Sequence, residues 1–174
     1  MKRLAALLAL IAMPAAASAQ APGLTASDAE AIALVAMPDI IRETGRAAAA
    51  LPPASLVRRP SSAFLARYEA AADSAWPAAR AAIVKLSDPA VDMLLQSDYA
   101  RPLLTSIFAP QIVGHVQPGD CPTIDRLVTL LEPLPARNTA GIIVATLQYL
   151  KARKSRGKQV AAVPDLPVCP TVSQ

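Results

Sequence analysis

The chain has 174 residues, of which 53 % are hydrophobic and only 3 % aromatic, with 17 basic residues, 13 acidic residues and a single histidine. Such a core must be built from Ala, Leu, Ile and Val, a composition that favours helices packed at close range. The net charge of +4 is too small to give the whole surface the basic field of a nucleic-acid-binding protein.

The first residues have the three parts of a secretory signal peptide. Lys2 and Arg3 form a positive start, residues 4–13 an apolar run, and Ala17-Ser18-Ala19 places small residues at the −3 and −1 positions of a cleavage site. Cleavage after Ala19 makes Gln20 the first mature residue, with Ala21 as the second choice of site. The apolar run is about half the roughly 20 residues that span a bilayer as a helix. No cysteine follows the site to take a lipid, and no later apolar run approaches that length. The expectation is a cleaved segment 1–19, a single domain over residues 20–174, and a periplasmic or secreted location with no transmembrane segment after signal removal. Without Lys2 and Arg3 the balance is 15 basic against 13 acidic residues.

Cys121 and Cys169 are the only cysteines, and in an exported chain they are expected to pair. The closed loop of 48 positions would stabilise the fold by about 4 kcal/mol on chain-entropy grounds. An interchain bridge or a reactive thiol are the alternatives.

The pattern along the chain predicts an all-α fold, a compact bundle of seven or eight mostly short helices. Residues 20–24 read as a leader. Ser27 and Glu30 fit a capping box ahead of Ile32, Leu34, Val35 and Met37. Pro38 is expected to break or restart that helix, with Ile40 and Ile41 facing inward after it. Residues 51–60, with three prolines and the pair Arg58-Arg59, read as an extended linker or loop with a solvated basic pair. Ser61 or Ser62 caps the next helix, whose Phe64, Leu65, Tyr68, Ala71, Ala72 and Ala75 share one face, and Trp76-Pro77 is expected to end or kink it. Pro then recurs at 77, 89, 102, 110, 122 and 135, which suggests helices of two to three turns, with Asp88 and Ser97-Asp98 as caps. The apolar sets Val91, Leu94, Leu95 and Leu103, Leu104, Ile107, Phe108 are expected to face the core.

Residues 111–120 read as an irregular loop. Ile124, Leu127, Val128 and Leu131 follow at i, i+3, i+4 and i+7, a clean amphipathic stripe. Asn138 is expected to cap the last helix, with Ile143, Leu147 and Leu150 as its apolar stripe and Gly141 as a point of close helix contact. The short connection at Glu132-Pro133-Leu134-Pro135 predicts that these two helices pack antiparallel. Residues 159–174 read as an extended Pro-rich tail pinned back by Cys169.

No catalytic, cofactor or metal motif stands out. His115 lies six positions before Cys121, but a Cys–His pair needs a free thiolate, and one His with two Cys falls short of a structural zinc set. Ser155-Arg156-Gly157-Lys158 matches S-x-x-K without its partner motifs. Glu69 and Asp73, and Asp88 and Asp92, are i, i+4 carboxylates; such pairs repel slightly on an exposed helix and are worth locating in the fold. The clearest non-structural feature is a run of five cations, Lys151, Arg153, Lys154, Arg156 and Lys158. The helix dipole accounts for the first of them, and the outer ones suit an anionic surface. The functional expectation is an exported, non-enzymatic helical protein without cofactor. It would contact a protein partner or an anionic envelope component through that run; the alternative is a carrier of a small apolar ligand.

Overall fold

A computed structural model describes residues 23–49, 51–88, 90–114 and 116–156. The signal segment, His115, Lys158, Cys169 and the 159–174 tail lie outside the described residues. Six α-helices are present among them: α1 (Ala26–Ala47), α2 (Ser62–Leu86), α3 (Ala90–Leu95), α4 (Ala100–Val113), α5 (Cys121–Leu131) and α6 (Ala136–Ser155), with a 3-10 turn at Pro118–Asp120. The all-α class is as expected. The helix number is lower than the expected seven or eight because two anticipated breaks do not occur: Pro38 lies inside α1 and Pro77 inside α2. An interior proline costs a helix about 3 kcal/mol. In α2 the same apolar face is buried before and after the ring, at Ala75 and at Ala79 and Ala82. In α1 Leu34, Val35 and Pro38 itself are buried, and the partly buried Ile41 continues the face against the core.

The centre of the fold is the α1–α2 pair, with α4 and α6 also packed on α1 and α3 bridging α2 to α4. Ala31, Leu34 and Val35 from α1 meet Phe64, Tyr68, Ala75 and Ala79 from α2, and Ala136 and Ala140 of α6 close the cluster. Ala72 and Ala82 of α2 are fully buried as well, so small side chains set the close spacing of the helices. The α2 face read from the sequence is the buried one. Leu24, expected in a leader, is buried.

Two caps fall at other residues than the pattern suggested. Thr25, not Ser27, caps α1: its hydroxyl accepts from Asp28 N at 3.1 Å, and Asp28 Oδ2 accepts from Thr25 N at 3.0 Å. Ser61 caps α2 as expected, accepting from Phe64 N. The last helix begins at Ala136 after Pro135, which places Asn138 inside its first turn.

Lys85 Nζ reaches Asp28 from α2, 2.8 and 2.9 Å from the two carboxylate oxygens. This contact, with help from Thr25 and against the opposing effect of burial, holds the Asp28 carboxyl below its ordinary value of 3.8. A lowered folded-state value makes the contribution complete above the unfolded value and removes it as pH falls through the folded one. Asp28→Ala is expected to lose about 1 kcal/mol of stability at neutral pH in urea unfolding. The gap to wild type should close as pH falls through the lowered folded-state value of this carboxyl; a gap that persists in acid, where the carboxyl is protonated in both states, would count against the linkage.

Residues 51–60 are a loop, and it is strapped onto the body of the fold rather than extended. Leu51, Ser55 and Val57 are buried, and Leu51 and Val57 join Ala48 and Cys121, with Val116, Ile124 and Val128 alongside. Asp125 of α5 holds the strap: Ser55 Oγ donates to its Oδ1 at 2.6 Å and Val57 N at 3.4 Å. Arg58 N donates to Ser55 Oγ, and the Arg58 guanidinium donates to Leu51 O at 2.7 Å, so only Arg59 of the basic pair is fully solvated. Gly45 makes this approach possible. A Cβ there would come within 2.9 Å of Val57 O, a backbone atom with no freedom to move aside. Gly141 has no such role, since a Cβ would meet the Glu30 side chain at an ordinary 3.6 Å.

The inward set expected for α4 is reversed. Thr105, Ala109 and Val113 are buried, while Leu103, Ile107 and Phe108 are exposed. Leu94 of α3 is exposed too, next to a buried Leu95. α4 runs on to Val113, which shortens the expected 111–120 loop. The expected antiparallel α5–α6 hairpin is replaced by another arrangement: α6 lies mainly along α1, and the Glu132-Pro133-Leu134-Pro135 link lets α5 stand away from it.

Candidate functional site

The separation of α5 from α6 leaves an apolar groove. Met37, Ile40, Ile41 and Thr44 of α1 form one wall, at the i, i+3, i+4, i+7 spacing of a single helical face. Leu56 and Val57 of the strap close one end. Phe64 and Tyr68 of α2 form the floor, and Ile124, Val128 and Leu131 of α5 face Thr139 and Ile143 of α6 across the opening. Its volume is about 180 Å³. The lining contains two threonines and one tyrosine among apolar side chains, and no charged residue, histidine or cysteine.

The polar groups of the floor are already committed. Tyr68 is 1 % exposed, and its hydroxyl donates to Thr139 Oγ1 at 3.2 Å. Its ring meets Phe64 edge-on, with centroids 5.0 Å apart. The Arg67 guanidinium lies over both rings, 5.4 Å from the Phe64 centroid and 6.0 Å from that of Tyr68, and donates to Glu132 O at 2.6 Å. A cation at the carbonyl end of α5 is favoured by the helix dipole. Arg67 Nε is buried without a partner. This arrangement can bind apolar matter, and nothing in its lining offers a nucleophile–base pair.

The residues singled out in the sequence lie elsewhere. The carboxylate pairs are answered by arginines. Arg42 of α1 bridges Asp39 and Glu69, Arg101 of α4 pairs with Asp73, and Arg80 Nε lies 3.4 Å from Asp92. Asp88 Oδ1 accepts from Ala90 N at the start of α3. Glu69, Asp73 and Asp92 thus join neighbouring helices, and of the four only Asp92, paired with Arg80, lines a recess. Among the described residues no group of three or more His, Cys, Asp or Glu could hold a metal ion. Nor is any helix there long and apolar enough to cross a membrane.

Cys121 is buried at the start of α5, with its sulfur 3.9 Å from Gln117 O, and forms no disulfide among the described residues. It packs in the same cluster as Val57, Ile124 and Val128, three residues that line the groove. Of the basic run, Arg153 stacks on the Tyr149 ring at 5.8 Å and Lys151 has an interaction of its own. Lys154 and Arg156 are exposed at the end of α6.

The groove was missed in the sequence because its walls come from four helices and the strap. The signal available was the α1 row Met37, Ile40, Ile41 and Thr44, an apolar face that continues past Pro38. Comparison with family models, curated proteins and solved structures finds no match to this chain, so the groove and the helix ends are themselves the guides to function.

Proposed function

We propose that this is an exported, non-enzymatic binding protein whose groove between α1, α2, α5 and α6 holds a small apolar molecule. The observation that carries the reading is an apolar recess of about 180 Å³ with no charged side chain in its lining. An engineered apolar cavity of about 150 Å³ stays dry and binds benzene, so the fitting ligand is a single ring or a short alkyl chain. The signal-like residues 1–19 support the exported part of the reading. In an oxidising compartment Cys121 and Cys169 would form the bridge. That bridge would tether the tail beside the α5 wall of the groove.

The test is a benzene titration followed by the methyl resonances of Ile40, Ile41, Ile124 and Ile143. Saturable shifts with a Kd on the order of 1 mM or tighter are expected, and Val128→Trp, which fills the groove, should abolish them with the helical circular dichroism unchanged. Absence of saturation in the wild type refutes the reading. So does binding that appears only after truncation at Arg156, because the tail would then be the native occupant.

The exposed Lys154 and Arg156 favour a second reading, contact with an anionic envelope component, at about 1 kcal/mol per charge near such a surface. Gln at both positions should then weaken co-sedimentation with anionic vesicles at low salt by about 30-fold, the equivalent of two charges. Unchanged sedimentation counts against that contact.

A further inference from the structure

The outer face of α4 has the properties of an interface core. The helix turns Thr105, Ala109 and Val113 inward and leaves Leu103, Ile107, Phe108 and Ile112 in solvent, from 48 % exposed at Ile112 to 61 % at Leu103. Tyr99, four residues before Leu103 and 82 % exposed, extends the stripe, and Met93 and Leu94 add exposed apolar surface on α3. Larger side chains outside and smaller ones inside is the reverse of what solvent alone would favour. Summed over α3, Tyr99 and α4, these seven exposed side chains offer on the order of 800 Å² of apolar surface.

We infer that this face binds a second copy of the same chain, pairing α4 with α4 about a two-fold axis near Ile107 and Phe108. The area is one reason, since a standard interface buries about 800 Å² per partner. Composition is another: interface cores are depleted in charge and rich in aromatics and Met, and residues 102–119 contain no Asp, Glu, Lys or Arg. Symmetry is the third. The stripe from Leu103 to Ile112 is centred between Ile107 and Phe108, so a two-fold axis there lays the helices antiparallel and uses each contact twice. The charge at the α4 start, Arg101, is paired with Asp73. It lies about 10 Å from the axis by helix rise and hence about 20 Å from its own copy, around two Debye lengths in physiological salt. An anionic bilayer is the poorer occupant, because Asp88 and Asp98 are exposed at the α3–α4 end of the molecule.

The experiment is sedimentation equilibrium of the purified protein with reductant present, so that a cysteine-linked species is not counted. The expected mass is twice that of one chain. Ile107→Asp combined with Phe108→Asp should raise the dimer Kd at least about 100-fold, with helical content unchanged and a thermal midpoint that falls below that of the wild type and no longer rises with protein concentration, because the dimer's contribution to stability is lost. A wild-type protein that stays at one chain mass at 100 µM overturns the inference, whether or not it floats with lipid vesicles. A dimer that the double substitution leaves intact overturns it too, by placing the interface elsewhere. Neither result depends on whether the groove holds a ligand.

Discussion

Tyr68→Ala is expected to lower the unfolding free energy by about 3–5 kcal/mol, the range for removing a buried aromatic ring. The ring is 1 % exposed at the junction of α1, α2 and α6. Its loss removes the edge contact with Phe64 and leaves Thr139 Oγ1 without its donor in a buried position. It also takes away one of the two aromatic faces beneath the Arg67 guanidinium. Tyr68→Phe separates these effects. It keeps the packing and deletes the hydroxyl, for an expected cost of about 1–2 kcal/mol. Urea unfolding followed at 222 nm checks both. Equal costs for the two variants would mean that the ring contributes little, contrary to its burial.

The second large effect is expected at Asp125. One carboxylate oxygen accepts from Ser55 Oγ and from Val57 N, which fixes the strap between α1 and α2 onto α5. Asp125→Ala leaves a buried serine hydroxyl without this partner, and the expected loss is about 2–3 kcal/mol. The strap should also open locally, which gives a second readout. Arg58 and Arg59 lie within it, and trypsin should cut there at least tenfold faster than in the wild type under native conditions. Asp125→Asn retains an acceptor oxygen and should fall between the two. If cleavage is unchanged in the alanine variant, the strap is held by Leu51 and Val57 packing alone.

Several parts of this structure were legible in the chain because they are local. The α2 face from Phe64 to Ala75 follows a 3.6-residue period, and Ser61 sits where a cap is needed. The misreadings share a different physical origin. Pro38 and Pro77 carry a strong local preference for a break, which is overcome by packing around each ring: Ala75, Ala79 and Ala82 are buried on both sides of Pro77, and Pro38 is itself buried after Leu34 and Val35, with Ile41 packed on the core beyond it. In α4 nearly every position is apolar or small, so periodicity does not distinguish the row Thr105, Ala109, Val113 from the row Leu103, Ile107. Contact with α1 decides, and it selects the smaller side chains because they permit the closer approach. The hydrogen bond from Ser55 to Asp125 joins residues 70 apart. No local pattern announces such a partner, and the groove depends on it, since that contact places Leu56 and Val57 at the groove's end.

The same separation orders events in time. Ser55 is synthesised 70 residues before Asp125, so α1 and α2 are complete and can pair while the strap still has nothing to close on. Contacts between distant residues form late because the loop-closure entropy must be met first. The groove is therefore among the last features to appear. A chain stopped before α5 would hold the α1–α2 pair with its Ile40, Ile41 and Phe64 uncovered, a state prone to sticking to its neighbours. A ligand that needs the finished groove would bind only the completed fold and, by mass action, would slow its opening.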